Sequence, residues 1–182
     1  KRGGLLLGFG IIILIMAFIF TPQRAFFDYL WIYLFLVSIG VGSLALVALE
    51  YLVGAVWSTP FRRITEILAS LIPVLIVLAI PLFFGMHDLF HWTHAEAVEH
   101  DAVLQSKSPY LNIQFFALRT AFCLLLWLLF YFLITRNSEK QDIDGDVKYT
   151  KKNITLSTMF APLFVISITI TAIDWAMSLE PH

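Results

Sequence analysis

Cysteine is almost absent, with Cys123 the only one in 182 residues. A single thiol cannot form a disulfide within the chain, complete a thiolate zinc site, ligate an Fe–S cluster or make the paired attachment of c-type haem. Cys123 lies in an apolar run and reads as inert packing. Charge is also scarce, at 14% of residues against 59% apolar and 15% aromatic, and the mean hydropathy is +0.83. That balance is the composition of a membrane protein and not of a soluble domain. Histidine is missing from every long apolar run. A transmembrane b-type cytochrome clamps haem between histidines within facing helices, so no haem is expected here. No metal site, no catalytic residue acting alone and no nucleic-acid partner is expected either.

What is present is long apolar runs. A helix needs about 20 apolar residues to cross a hydrocarbon core of about 30 Å. Five stretches come near or beyond that: 4–20, 27–51, 64–84, 113–134 and 154–177. Lys1 and Arg2 before the first run could open a signal peptide, but the run is long, no small-residue cleavage site follows, and more spans come after it, so a first transmembrane helix is expected. With five crossings the ends face opposite sides. Lys1, Arg2, Arg62, Arg63, Arg136, Lys140, Lys148, Lys151 and Lys152 fall on one side, against Arg24 and Lys107 on the other. The positive-inside rule makes the N-terminus and the loops 52–63 and 135–153 cytoplasmic, with the segment 85–112 outside. The expected fold is an all-α integral membrane protein of five transmembrane helices. Residues 1–26 form a peripheral helix and 27–182 a four-helix bundle. The chain starts without an initiator methionine and stops in what reads as a link between spans, so a fragment is expected.

Four of the five histidines crowd into residues 85–101. A continuous helix there would put His87, His91 and His94 on one face, joined by Val98 and Asp101, at about 100° per residue. Three imidazoles on a face are candidate metal ligands only if the chain folds tightly around them, and an interfacial helix docked on a partner subunit is the preferred reading. Ionisable groups within a bilayer cost several kcal/mol and face a partner or a cavity. Arg119 lies about 9 Å inside the fourth span at 1.5 Å per residue, and Asp174 sits near the outer end of the fifth. A structural ion pair and a role in substrate binding or proton transfer both remain open for them. His87 and Asp88 close the third span at the same level, so these four are candidates for quinone binding or proton relay, with Phe84, Phe90 and Trp92 as apolar walls. Glu50 and Glu66, at the opposite ends of spans two and three, are interfacial residues or the mouth of an inner proton path. Pro73 and Pro81 are expected to bend the third span just before the histidines. Ser38 and Gly42 have the small-xxx-small spacing of close helix packing. The run Asp142-Ile-Asp-Gly-Asp146 has its glycine at the wrong position for a calcium loop, and Asn153-Ile-Thr155 falls on the cytoplasmic side, away from glycosylation.

The stretch Phe84-Gly-Met-His-Asp-Leu-Phe-His-Trp-Thr-His94, the charged cytoplasmic loop and the ending Thr171-Ala-Ile-Asp-Trp-Ala-Met-Ser-Leu-Glu-Pro-His182 resemble the ActF family of membrane subunits of bacterial alternative complex III, within the NrfD and PsrC type of quinone-interacting membrane proteins. The resemblance implies that this chain is about half of a longer subunit built from two four-helix bundles. It implies a complex in a bacterial inner membrane that oxidises quinol and passes electrons through Fe–S and haem c carried by partner subunits, beside an ActC-like sister subunit and in some cases a terminal oxidase. No cofactor is then bound by this chain, apart from quinol itself. In this reading His87, Asp88 and Asp174 occupy the outer ends where such subunits place quinone or proton-relay groups, and His91 and His94 contact partners. Two other readings remain. One is a purely structural anchor for peripheral subunits; the other is an ion or solute transporter, disfavoured because no span carries a charge near its middle.

Overall fold

The computed structural model describes residues 2–55 and 58–179, so the Glu180-Pro181-His182 part of the ending motif, together with Lys1, lies outside the described residues. It is all-helical, with no strand among the described residues. The long helices are α1 (Arg2–Phe20), α2 (Pro22–Val53), α3 (Thr59–Ala69), α4 (Ile72–Phe84), α8 (Ile113–Asp144) and α9 (Lys148–Trp175). Between α4 and α8 lie the short α5 (Met86–Leu89), α6 (Ala95–His100) and α7 (Ala102–Lys107). Four helical segments among the described residues are long and apolar enough to cross a membrane: Pro22–Val53, Pro60–Phe84, Ile113–Asp144 and Lys148–Leu179.

These four pack as a ring in which α2 touches α4 and α9, and α8 touches α4 and α9. One end of the ring carries α5 to α7 and is called the histidine end below. The other carries the α2–α3 and α8–α9 connections and is the basic end. The inward face of α2 is written in its sequence, because Leu30, Tyr33, Val37, Val41, Leu44, Val47 and Tyr51 recur every three or four residues and all are buried. Ile72 and Leu75 of α4, Trp127 and Ile134 of α8 and Phe160 of α9 complete the core. The first helix, α1, lies outside the ring against α2, where Phe18 meets Phe26 at 4.9 Å between ring centroids.

Three sequence expectations change. The stretch 135–153 is no loop: α8 runs to Asp144, α9 starts at Lys148, and only Gly145 to Val147 turn between them. Gly145, at φ +66°, caps α8 by giving its N–H to the Gln141 carbonyl at 2.8 Å. Charge in this stretch marks where hydrocarbon ends and not where the helix ends, since Glu, Lys and Gln are good helix formers. At about 48 Å, a 32-residue helix outruns the hydrocarbon core. The third span breaks at Ser70–Leu71, well before the histidines. Pro73, in the first turn of α4, has no N–H for the Ala69 carbonyl and so ends α3, whereas Pro81 is accommodated within α4.

The histidine segment is likewise not one helix. It is interrupted at Phe90 (φ −117°, ψ 115°) and His94 (φ −90°, ψ 117°), with a 3₁₀ turn at His91–Thr93 between. Phe90 and Trp92 are both buried, and positions two apart, about 200° around a helix, cannot share one helical face. Asp101 therefore joins no histidine wall; it caps α7, accepting from Val103 N at 2.7 Å and Leu104 N at 3.4 Å.

Gly85, where α4 gives way to α5, is held against α2. A Cβ there would come within 2.6 Å of Phe26 Cγ, whereas one on Gly42 would meet nothing within 4 Å. Gly85→Ala is expected to cost about 1–3 kcal/mol through overpacking, lowering the thermal unfolding midpoint of the detergent-purified protein. Gly42→Ala, in open space within α2, should leave that midpoint no lower and raise it by up to the equivalent of about 1 kcal/mol.

Candidate functional site

The chemistry at the histidine end begins with Arg119 and Asp174, one from α8 and one from α9. Arg119 Nε donates to Asp174 Oδ2 at 2.6 Å and Nη2 to Oδ1 at 3.0 Å, a bidentate fork in which Asp174 is 1% exposed. Arg119 Nη1 donates to the Tyr110 carbonyl at 3.1 Å, and the Tyr110 ring lies 3.9 Å from the guanidinium carbon. Tyr110 stands in the turn before α8. Burial first, and then the Asp174 carboxylate, push the pKa of its phenol up. The Asp174 carbonyl accepts from Ser178 Oγ, which pins the segment after α9.

Beside the pair stands an aromatic group drawn from α2, α8, α9 and the turn that follows α5. Trp175 stacks on Tyr33 of α2 at 4.6 Å and gives its Nε1–H to Thr120 Oγ1 at 3.1 Å. Phe116 faces Trp175 at 6.4 Å, Phe90 at 5.3 Å and Trp92 at 5.7 Å. The rings enclose a small void of about 10 Å³, bordered by Leu30, Leu82, Phe90, Phe116 and Trp175. Tyr33 Oη and Trp92 Nε1, both buried, have no hydrogen-bond partner among the described residues. Such orphaned donors mark places where a water or a ligand acceptor is wanted. Tyr33 was accessible in the sequence as a phenol on the buried stripe of α2, and Trp175 as the neighbour of Asp174. What the sequence withheld was their stacking. Phe84, expected as a wall, is instead 82% exposed.

His87, His91 and His94 do come together, by folding back and not along a helix. His87 and His94 stack at 4.1 Å between ring centroids, and His91 meets His94 edge-on at 6.2 Å. The hydrogen bonds fix two tautomers. Thr93 Oγ1 gives its proton to the Phe90 carbonyl at 2.7 Å, so at 3.1 Å it accepts from His87 Nδ1–H. His94 Nε2 lies 2.9 Å from the His87 carbonyl and is therefore a donor. All three histidines are exposed, as is Asp88. Among the described residues no hydrogen bond or ion pair links His87 or Asp88 to Arg119 and Asp174. No cluster of three or more His, Cys, Asp or Glu suited to a metal occurs among the described residues.

At the basic end both glutamates are paired. Glu50 Oε2 accepts from Arg62 Nε at 3.2 Å, and Arg62 lies 4.4 Å from the centre of the Tyr51 ring. Glu66, 5% exposed, accepts from Arg63 Nη1 at 2.5 Å through Oε2, and Arg63 also bridges to Asp142 of α8. Glu66 Oε1, Tyr51 Oη and Ser157 Oγ, from α3, α2 and α9, are buried without partners among the described residues. Cys123 is buried and gives its thiol proton to the Ser167 carbonyl at 3.7 Å.

Fold and composition together define a multi-pass α-helical membrane protein. The chain matches no family model and no curated protein.

Removing one partner of a buried pair leaves an uncompensated charge. Asp174→Ala is expected to lower stability by about 3–5 kcal/mol. Combining Arg119→Met with Asp174→Leu should recover most of that loss, as read from thermal unfolding midpoints in detergent.

Proposed function

We propose that this chain is a membrane subunit of a quinol:cytochrome c oxidoreductase of the alternative complex III kind, in a bacterial inner membrane. In this reading α1 is a fifth, peripheral span, and the bundle of α2, α3–α4, α8 and α9 is the first of two in a longer subunit. The N-terminus and basic end face the cytoplasm and the histidine end faces the periplasm, in keeping with the nine basic residues on one side against two on the other. The observation that carries the reading is the bidentate Arg119–Asp174 pair set beside the Tyr33, Trp175 and Phe116 rings at one end of the bundle. Quinol oxidation needs an apolar slot for a flat ring and a proton acceptor near its hydroxyls; the buried carboxylate supplies the acceptor and the aromatic rings the walls, which must part to admit a head group because the void between them is about 10 Å³. The single cysteine and the span-free histidines leave electron transfer to partner subunits carrying Fe–S clusters and haem c. Proton uptake from the opposite side is supported by Glu66 Oε1, Tyr51 Oη and Ser157 Oγ at the basic end, unpartnered among the described residues.

A second reading, a purely structural anchor, is favoured by one observation: the three imidazoles are exposed, as a docking surface requires. The two readings separate on one substitution in the assembled complex. Asp174→Asn is expected to lower quinol turnover by about 10²-fold, the lower end of what a positioned acid–base group contributes, with the subunits still associated. An anchor predicts unchanged turnover for Asp174→Asn, and subunit loss on replacing His91 and His94 by alanine.

A further inference from the structure

Arg119 brings five N–H donors into a membrane-spanning helix, and its partners use three of them. Nε and Nη2 serve Asp174 and one Nη1 proton serves the Tyr110 carbonyl. Two protons have no acceptor among the described residues. The side chain is 14% exposed, and it borders a groove of about 590 Å³ formed with Pro109, Tyr110, Phe115, Leu118 and Phe122. Phe115, Leu118 and Phe122 are 54%, 66% and 55% exposed and lie on one outward stripe of α8. They run about 10 Å along the helix at 1.5 Å per residue. In hydrocarbon a donor without an acceptor is costly, and no water reaches it there to help.

We infer that this groove is a seat for one bilayer phospholipid, with an ester carbonyl accepting from the free Arg119 protons and an acyl chain lying along Phe115, Leu118 and Phe122. Charge selects this occupant. Asp174 already neutralises the guanidinium, so what remains is a pair of polar N–H groups without net positive charge. Those suit a dipolar carbonyl and not a phosphate anion. Arg119 lies about 9 Å along α8 from its first residue, below the level where a phosphate stays in water. An ester carbonyl at the edge of the hydrocarbon, with its phosphate above near the turn at Pro109 and Tyr110, fits that depth. A resident lipid here is independent of any redox role for the chain.

The test uses the purified protein in nanodiscs, with a phosphatidylethanolamine carrying a diazirine in its acyl chain as the photolabel. Label is expected in residues 109–122. Unlabelled diester phosphatidylethanolamine should compete about fivefold better than the carbonyl-free diether of the same chains, the ratio a single hydrogen bond supports. Leu118→Trp fills the groove from its outer side without touching the ion pair, and should abolish the label while leaving thermal unfolding unchanged. Equal competition by the diether, or labelling that survives Leu118→Trp, would identify ordinary annular lipid and overturn the assignment. Displacement of the label by a short-tailed quinone at concentrations where the diester phospholipid fails would overturn it in favour of a different occupant.

Discussion

Arg119 meeting Asp174 across the α8–α9 seam is the deepest commitment in the molecule, because neither charge can be held in hydrocarbon without the other. The rest of the seam follows the same demand. Trp175 pairs with Thr120, Trp127 with Ser167, Asn153 with the Ile134 carbonyl and with Asn137, and Thr150 with Gln141. As the residue number rises along α8 it falls along α9, so the two helices run antiparallel along the whole seam. Apolar packing alone would not fix their register, since lipid chains offer a helix the same surroundings as leucine does. Hydrogen bonds between specific side chains do, and they carry the hairpin beyond the hydrocarbon to its turn at Gly145.

Much of this architecture was legible in the sequence. Of the five apolar runs, four coincide with the helices long and apolar enough to cross a membrane. Arg119 and Asp174 stood out because charges inside a span demand a partner. Helix ends were less legible. In the stretch from Arg136 to Asn153 the charges were read as a loop, yet the residues that carry them continue two helices. Proline marked the break in the third span, but its position follows from the hydrogen bond that Pro73 withholds from Ala69 and not from nearness to the histidines.

The histidine end was least legible, because its shape is set by residues distant in sequence. Helical periodicity placed three imidazoles on one wall, whereas burial of Phe90 and Trp92 breaks the chain twice and stacks His87 on His94 by a turn. The bundle thus has two distinct polar settings at that end. One is an exposed histidine surface, and the other is a buried carboxylate beside aromatic rings. Tyr33 belongs to the second, and its stacking on Trp175, a contact between residues far apart in sequence, is what its local sequence does not announce.

A density map of the chain in its native assembly tests the central claim most directly. A quinol-oxidising subunit predicts peripheral redox subunits seated on the histidine end, and a flat head group between Asp174 and the rings of Tyr33, Trp175 and Phe116. A histidine end bare of partners, with those rings closed on each other and no head group beside Asp174, would contradict it.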